Sequence, residues 1–540
     1  MRLDVTYSTP AEHASPMEPH ATTAIWNGDD DLTLYDSTQG PSLVGRIVAH
    51  LFGLPAESVH VVAHHVGGGF GSKGFPYPST VLPALAARAV GKPVKLALTR
   101  QQTFSLVSHR TRTIQRIQIG ASRDGRITGL DHDALQYCSR PIVYGEQTAF
   151  PTRGMYAIPN LSTRHRIVKL DIPAPGWMRA PGETPGMFAL ESAIDELAYA
   201  IDIDPVELRI INEPSGDPET GTPYSSRGLV ACLRDGAQRF GWSGRNPRPR
   251  QQRQGRWLIG SGVASACYPA IALPSNATVR AQPDGTYVVR TAAVDIGTGA
   301  RTALTLIAAD ALHTTPDRIT VEIGHSDYPT APLAGGSLGT ASWGWAVVKA
   351  CRALVDQLAE RDGVIPRAGL EATADTTEDV VAQMQGPALM RESFGAHFAQ
   401  VRVNADSAEV RVDRMVSVFD IGRIVNIRGA RSQLLGGMTM GVSMALHEQL
   451  EMDARFGDFA NHDLASYQFA AHADIHGLEA HWIEEQDHEL NSMGTKGAGE
   501  IGIVGAAAAV ANAVYHACGV RVRDLPITIE KVHPSLSAAR

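Results

Sequence analysis

Gly494-Thr495-Lys496-Gly497-Ala498-Gly499-Glu500-Ile501-Gly502 is the stretch of this 540-residue chain that says most about its architecture. It sets several glycines and one carboxylate ahead of the apolar run Ile501 to Val514, a pattern that predicts a Gly-rich loop opening a buried helix. A carboxylate on such a poorly solvated loop is placed to have its acidity moved and to act as a general base. The plainer reading of Glu500 is an acid at a helix N-terminus that complements the dipole. For an isolated glutamate that reading is the commoner one.

Four other segments are as rich in glycine: Gly67-Gly68-Gly69-Phe70-Gly71-Ser72-Lys73-Gly74, Gly297-Thr298-Gly299, Gly335-Gly336-Ser337-Leu338-Gly339 and Gly436-Gly437. Glycine lets backbone N–H groups approach a ligand closely and adopt positive φ. At a helix start those N–H groups favour anionic partners. Several such loops in one chain imply one large, polyanionic ligand held at several points.

The look-alikes fit less well. Val59-His60-Val61-Val62 reads as a strand and Thr80 to Val90 as a helix, so the loop between them resembles a phosphate P-loop. That motif ends in Gly-Lys-Ser/Thr, whereas here the order is Ser72-Lys73-Gly74. Gly297 follows a strand-like alternation from Tyr287 to Val294 and precedes a helical run, Ala303 to Leu312. Thr302 stands where the third glycine of a dinucleotide fingerprint belongs. Gly335 to Gly339 matches the G-x-S-x-G elbow of serine hydrolases around Ser337. That elbow needs a strand running into the serine, and Asp327-Tyr328-Pro329-Thr330-Ala331-Pro332 carries two prolines.

Composition narrows the field. At roughly 150 residues per domain the length predicts two to four domains. A hydrophobic fraction of 44% with 19% charged residues suits a folded globular chain. Lys and Arg number 48 against 56 Asp and Glu, a net charge of −8 that argues against a nucleic-acid binder. The longest apolar run stops at Tyr515-His516, short of the ~20 residues of a spanning helix. Met1 to Tyr7 alternates like a strand and lacks the charged and apolar regions of a secretory leader. The cytoplasm is the expected location, or the periplasm if a partner carries the export signal. Cys138, Cys232, Cys267, Cys351 and Cys518 are scattered and none forms a CxxC pair. They predict neither a zinc ribbon nor an iron–sulfur cluster built by this chain.

The clearest break is Ser243 to Arg256, with five arginines among Pro, Gln and Gly and no apolar periodicity. It reads as a solvated linker between a first domain, 1–242, and a second, 257–540. Asp362 to Gln385 reads as an acidic surface loop. Further helices are predicted near Trp345 to Leu358, Leu434 to Leu446 and Val504 to Val514. No repeat of fixed period is visible. Mixed strands and helices with Gly-rich turns give an α+β fold.

Taken together, the loops resemble the molybdenum-cofactor subunit of the xanthine dehydrogenase/aldehyde oxidase family. Matches run in order along nearly the whole chain: His13 with Met17-Glu18-Pro19-His20, Ser37-Thr38-Gln39, Gly67 to Gly74, Met178-Arg179-Ala180-Pro181-Gly182, Gly297 and Gly336-Ser337. Asp420-Ile421-Gly422-Arg423 with Asn426, Arg431-Ser432-Gln433 and Lys496 to Gly502 complete the series.

The resemblance implies a molybdopterin, usually the cytosine dinucleotide in bacterial members, whose dithiolene binds the molybdenum so that no protein side chain ligates the metal directly. It implies Gln39, Phe70, Gly71 and Arg179 at the metal's face. Gly297, Thr298, Gly299, Gly336, Ser337, Lys496, Gly497 and Gly499 would hold the pterin. Arg423, Ile424, Asn426 and Gln433 would hold the dinucleotide end, where an arginine matches a pyrophosphate's charge. Glu500 becomes the general base that takes a proton from the nucleophile. Iron–sulfur (2Fe-2S) and FAD subunits are implied as partners, because this chain carries no motif for either group.

Two departures bear on the substrate. Purine-oxidising members carry a Glu after the first glycine loop and an Arg before the Ile-Pro-Asn stretch. Here Gly74 and Gln147, counted back from Ile158-Pro159-Asn160, take those places beside Pro181 in the expected substrate pocket. Their loss favours aldehydes over xanthine. Family large subunits also carry an N-terminal α/β domain ahead of the segment matching Met1 onward. Either a separate polypeptide supplies it or the chain is incomplete. Three readings remain open: a molybdenum hydroxylase subunit, a serine hydrolase at Ser337, and a non-catalytic truncated paralogue that binds cofactor or partner subunits.

Overall fold

The computed structural model describes residues 1–538, and its topology repeats. Arg2–Thr9, Thr113–Ala121, Ile127–Ser139 and Leu161–Leu170 form a sheet in that order, with two antiparallel junctions and then a parallel one. Trp257–Pro269, Glu392–Asn404, Val410–Asp420 and Leu478–Trp482 follow the same order with the same senses.

A smaller sheet is inserted between the first and second strands of each. In the first half it comprises Ala21–Trp26, Leu32–Asp36, Val59–Val62 and Val94–Ala97. In the second it comprises Asn276–Ala281, Tyr287–Arg290, Ile319–Glu322 and Leu370–Asp375. Both are ordered third, second, first, fourth, and only the second and third strands are parallel. A parallel pair needs a crossover. The helices Pro41–Phe52 and Ala300–Ala311 supply it, one in each half. Pro78–Val90 and Gly339–Ala359 then lead from third strand to fourth.

After the last strand of its main sheet each half carries a helix that packs on that sheet, Glu183–Ile201 or Ala506–Cys518, and these two helices also pack on each other. The second is a run of small residues that lies very close to its sheet. A Cβ at Gly260 or Gly262, on one face of the strand, would strike the backbone of Ala509, Ala513 or Ala517. One apolar core runs from Tyr7 to Leu536 through both halves, while each inserted sheet has a core of its own.

The α+β expectation holds, and the predicted strands and helices are present with ends moved by a few residues. The expected acidic loop from Asp362 to Gln385 is corrected. It contains the edge strand Leu370–Asp375, which buries only the small Ala372 and Ala374, and the helix Thr377–Gln385. The basic segment between the halves lies against the protein. Arg245 Nη2 is 2.7 Å from Asp204 and its guanidinium sits 4.0 Å over the Trp242 ring, while Arg250 N–H donates to the His516 carbonyl at 2.9 Å. Ile501–Cys518 is long and apolar enough to cross a membrane by composition, but 94% of it is buried within the protein.

Candidate active site

The repeat explains why distant loops meet. Gln39 and the Gly297 loop both lie between the second strand and first helix of an inserted sheet. Phe70 and Ser337 both lie between the third strand and second helix, and both hold the left-handed conformation, at φ of 55° and 54°. Arg179 and Glu500 both precede the helix that follows the last strand of a main sheet.

Hydrogen bonds tie these segments together. Gln39, buried, accepts from Gly71 N–H at 3.0 Å and Lys73 N–H at 3.1 Å and donates to the Ala334 carbonyl at 2.6 Å. It thus joins the Gly67 loop to the Gly335 loop. Arg179 N–H donates to the Phe70 carbonyl at 2.9 Å. The Arg179 side chain donates to the Gly499 carbonyl at 2.8 Å and the Gln433 carbonyl at 2.7 Å, with Met440 Sδ at 3.6 Å. The helix of the Gly297 loop is anchored through Arg301, which donates to the His64 carbonyl at 3.0 Å.

Glu500 sits where the halves cross. It is half-buried, and its Oε1 accepts from Ala180 N–H at 3.1 Å while its Oε2 accepts from Ser337 Oγ at 2.9 Å. Gly497 makes that contact possible, because a Cβ there would lie 2.7 Å from Ser337 Cβ. The Ala180 and Ser337 partners are invisible in the sequence, since they depend on loops more than 150 residues from Glu500.

Each crossing loop rests on a buried ion pair. Under Met178 to Gly182, Arg110 donates to the Arg179 carbonyl at 2.6 Å, and Glu146 accepts from Gly182 N–H at 3.0 Å and Arg110 Nη1 at 3.5 Å. Under the second loop, Lys496 Nζ donates to Asp420 at 2.8 Å and to the Glu392 carbonyl at 3.2 Å. Both side chains of that pair are fully buried. The Lys496 ammonium is therefore engaged inside the protein.

Arg179 contrasts with these. It is buried, but its hydrogen bonds go to carbonyls and a thioether and to no carboxylate. Burial lowers it to about 10, with Glu500 acting in the opposite direction. A buried guanidinium without a bonded carboxylate is a seat for an anion.

The remaining predicted residues fall around this centre. Phe70 is 38% exposed, and Gly74 lies under the Trp177 ring, 3.0 Å from where its Cβ would be. Pro181 is half-buried between Ala180 and Gly182. Gln147 packs its backbone against Gly182, and its exposed side chain lines a cavity of about 340 Å³ with Phe150, Arg153 and His165. The Gly297 and Gly299 amides are taken by Asp295 Oδ1, at 3.0 and 3.1 Å, so they are not free donors for an anion. The space above both glycines is open, with Thr298 half-buried between them. Arg423 pairs with Asp310 at 2.9 Å and lines a cavity of about 360 Å³ with Arg352, Val425 and Met493. Ile424 packs against the main core, and Asn426 caps the following helix, accepting from Gly429 N–H at 3.1 Å. The hydrolase reading of Ser337 is overturned, because no strand runs into it and its hydroxyl is bound to Glu500.

Two family models described as molybdopterin cofactor-binding domains match residues 1–213 and 235–476. The chain belongs to the molybdopterin cofactor-binding family. It is 40% identical to the aldehyde oxidoreductase molybdenum-binding subunit PaoC of Escherichia coli K12, over 98% of this chain and 75% of that protein. It is 29% identical to the putative xanthine dehydrogenase molybdenum-binding subunit XdhA of the same strain, over 99% and 77%. Its fold is that of the aldehyde oxidoreductase of Desulfovibrio desulfuricans, with a TM-score of 0.89 at 24% identity. That match covers 99% of this chain but only 61% of the other. Quinoline 2-oxidoreductase of Pseudomonas putida is equally similar in fold, with a TM-score of 0.89 at 24% identity, covering 99% of this chain and 76% of that one. The residues present fit the family's cofactor: convergent loops, open space over Gly297 and Gly299, and a buried arginine without a bonded carboxylate all suit a large anionic group.

Proposed function

We propose that this chain is the catalytic subunit of a molybdenum hydroxylase that converts aldehydes to carboxylic acids with water as the oxygen source, and that Glu500 is its general base. The observation that carries this reading is the Glu500 carboxylate, held between Ala180 N–H and Ser337 Oγ where the two halves cross. When bound, the molybdenum cofactor supplies the oxygen-transfer and two-electron chemistry. The protein's residues do the rest. Arg179 sets positive charge beside the anionic group, and Gln39 fixes the Phe70–Gly71 loop that faces it. Glu500, with one lone pair of each oxygen already occupied, is oriented to accept a proton. Gly336, Ser337, Gly497 and Gly499 shape the pterin wall.

The cavity beside Arg423 and Arg352 suits the dinucleotide end, which we assign as cytosine dinucleotide. Electrons leave through partner subunits carrying 2Fe-2S and FAD. The five cysteines are free and buried, in keeping with a reducing cytoplasm. With Gly74 and Gln147 in place of two charged anchors, aldehydes are preferred to purines. An intact carboxylate in an assembled site speaks against a non-catalytic paralogue.

The test is Glu500→Gln in the complex purified from its host. Molybdenum content stays normal while dye reduction with benzaldehyde falls about 100-fold or more. Near-normal turnover refutes the assignment. In the parent complex benzaldehyde is turned over far faster than xanthine, and equal rates defeat the substrate reading.

A further inference from the structure

The peptide between Arg179 and Ala180 is bound at both ends. Its N–H donates to Glu500 Oε1 at 3.1 Å, and its carbonyl accepts from Arg110 Nη2 at 2.6 Å. A trans peptide is planar, with N–H and C=O pointing in opposite directions. The orientation of this one plane therefore fixes where the Glu500 carboxylate finds its donor from the first half. The other partner of Glu500, the Ser337 hydroxyl at 2.9 Å, is a rotor that can turn to suit the acid. The amide can change only by turning its whole plane.

Left to itself the plane would turn. Ala180 holds a φ of 54°, in the left-handed region that alanine seldom adopts. Half a turn of the peptide about its Cα–Cα axis brings that φ to an ordinary negative value and swings the N–H away from Glu500. A strained conformation of this kind persists only where its surroundings over-determine it.

Arg110 supplies the restraint. It is fully buried, and it reaches three successive carbonyls of the loop: that of Arg179, and those of Met178 and Ala180, each at 3.3 Å. The Glu12 and Glu146 carboxyl groups stand at its other edges, 3.2 Å from Nε and 3.5 Å from Nη1. Its backbone is paired with that of Glu12 in both directions, at 2.8 and 3.2 Å. A planar guanidinium can serve this many acceptors at once, which the single ammonium of a lysine cannot.

We propose that Arg110 is a positioning residue for Glu500, acting through the Arg179–Ala180 peptide, which it holds in the orientation that turns the Ala180 N–H to the carboxylate. The proposal rests on the reading of Glu500 as general base. A buried arginine of the first half thus sets the aim of an acid in the second.

Arg110→Lys in the full complex tests this, by its crystal structure and by dye reduction with benzaldehyde. The structure should show the 179–180 peptide turned over, with Ala180 at negative φ and its N–H away from Glu500. Molybdenum content stays normal, since the Arg179 side chain keeps its own bonds to the Gly499 and Gln433 carbonyls. kcat falls about tenfold or more while KM stays within about twofold. Adding Ala180→Gly, which removes the penalty of the left-handed conformation, recovers several-fold of the loss. Combined with Glu500→Gln, Arg110→Lys costs nothing further, whereas a general loosening of the fold would multiply the two losses. If the lysine protein does not assemble, Arg110→Met with Glu146→Gln removes the guanidinium and its acid together, and the same outcomes are expected. An unturned peptide, a parent-like kcat or multiplied losses overturn the proposal. Full turnover in Glu500→Gln sinks the base reading instead, and the crystal structure alone still decides whether Arg110 sets the peptide.

Discussion

The two halves of the molecule share a topology and divide the chemistry. Just ahead of its closing helix the first half places Arg179, and at the same point the second places Glu500. Each reaches across to the other's backbone: Arg179 to the Gly499 carbonyl at 2.8 Å, and Glu500 to the Ala180 N–H at 3.1 Å. In the function proposed above, one half supplies a buried cation for an anionic ligand, and the other a carboxylate for a proton. A repeated fold thus builds an asymmetric site by varying one loop position, while the strands around it keep their order. Between Phe70 and Ser337 the division is similar, since both are left-handed, but one is an exposed ring and the other a hydroxyl bound to Glu500.

The comparison can be broken most severely with acid. Burial holds His13, His109 and His132 of the first half neutral, each near 3, whereas the fully buried histidine of the second half's main sheet, His397, lies near 4. Folded-state values depressed below the ordinary 6.5 mean that only the unfolded chain binds these protons as pH falls. Stability is therefore lost between pH 6.5 and about 3. The raised carboxyls, among them Glu12 and Glu183 near 8, act in the opposite sense above about 4.5. Below that pH the histidine loss is unopposed by them, at about 4 kcal/mol per pH unit for three protons. Hydrogen exchange from pH 4.5 downward should show residues 2–201 losing protection before 257–518.

The ion pairs under the two loops give the next largest effect. Asp420→Ala strands the Lys496 ammonium and costs about 3–5 kcal/mol in chemical denaturation. Lys496→Met with Asp420→Leu together should recover most of that loss, which separates a structural pair from a cofactor contact. The smallest change in stability is expected at Arg179. Arg179→Met leaves the Gly499 and Gln433 carbonyls without donors, at about 1–3 kcal/mol, yet empties the site. Molybdenum content of the purified complex should fall several-fold while the fold survives. Retention of full metal content would remove Arg179 from the anion site and weaken the contrast with Glu500.

Much of this was legible in the sequence because loops that must admit a ligand are written in glycine, and because Glu500 stands alone among them. The α+β class followed from strand and helix periodicities flanking those loops. The repeat leaves no mark on residue spacing because it is one of strand order, with the two inserted sheets spaced differently along the chain. Leu370–Asp375 was hidden by alanines that bury a strand face without an apolar signal. The Lys496 ammonium and the Gly297 amides carry a lesson the sequence cannot give, for one reason. Their partners, Asp420 and Asp295, fill inside the protein the valences that the sequence left open for a ligand.

The core that runs unbroken from Tyr7 to Leu536 has a genetic corollary. Severing the gene between the two halves would leave each product with a raw oily flank and only one side of the contacts that Arg179 and Glu500 make across it.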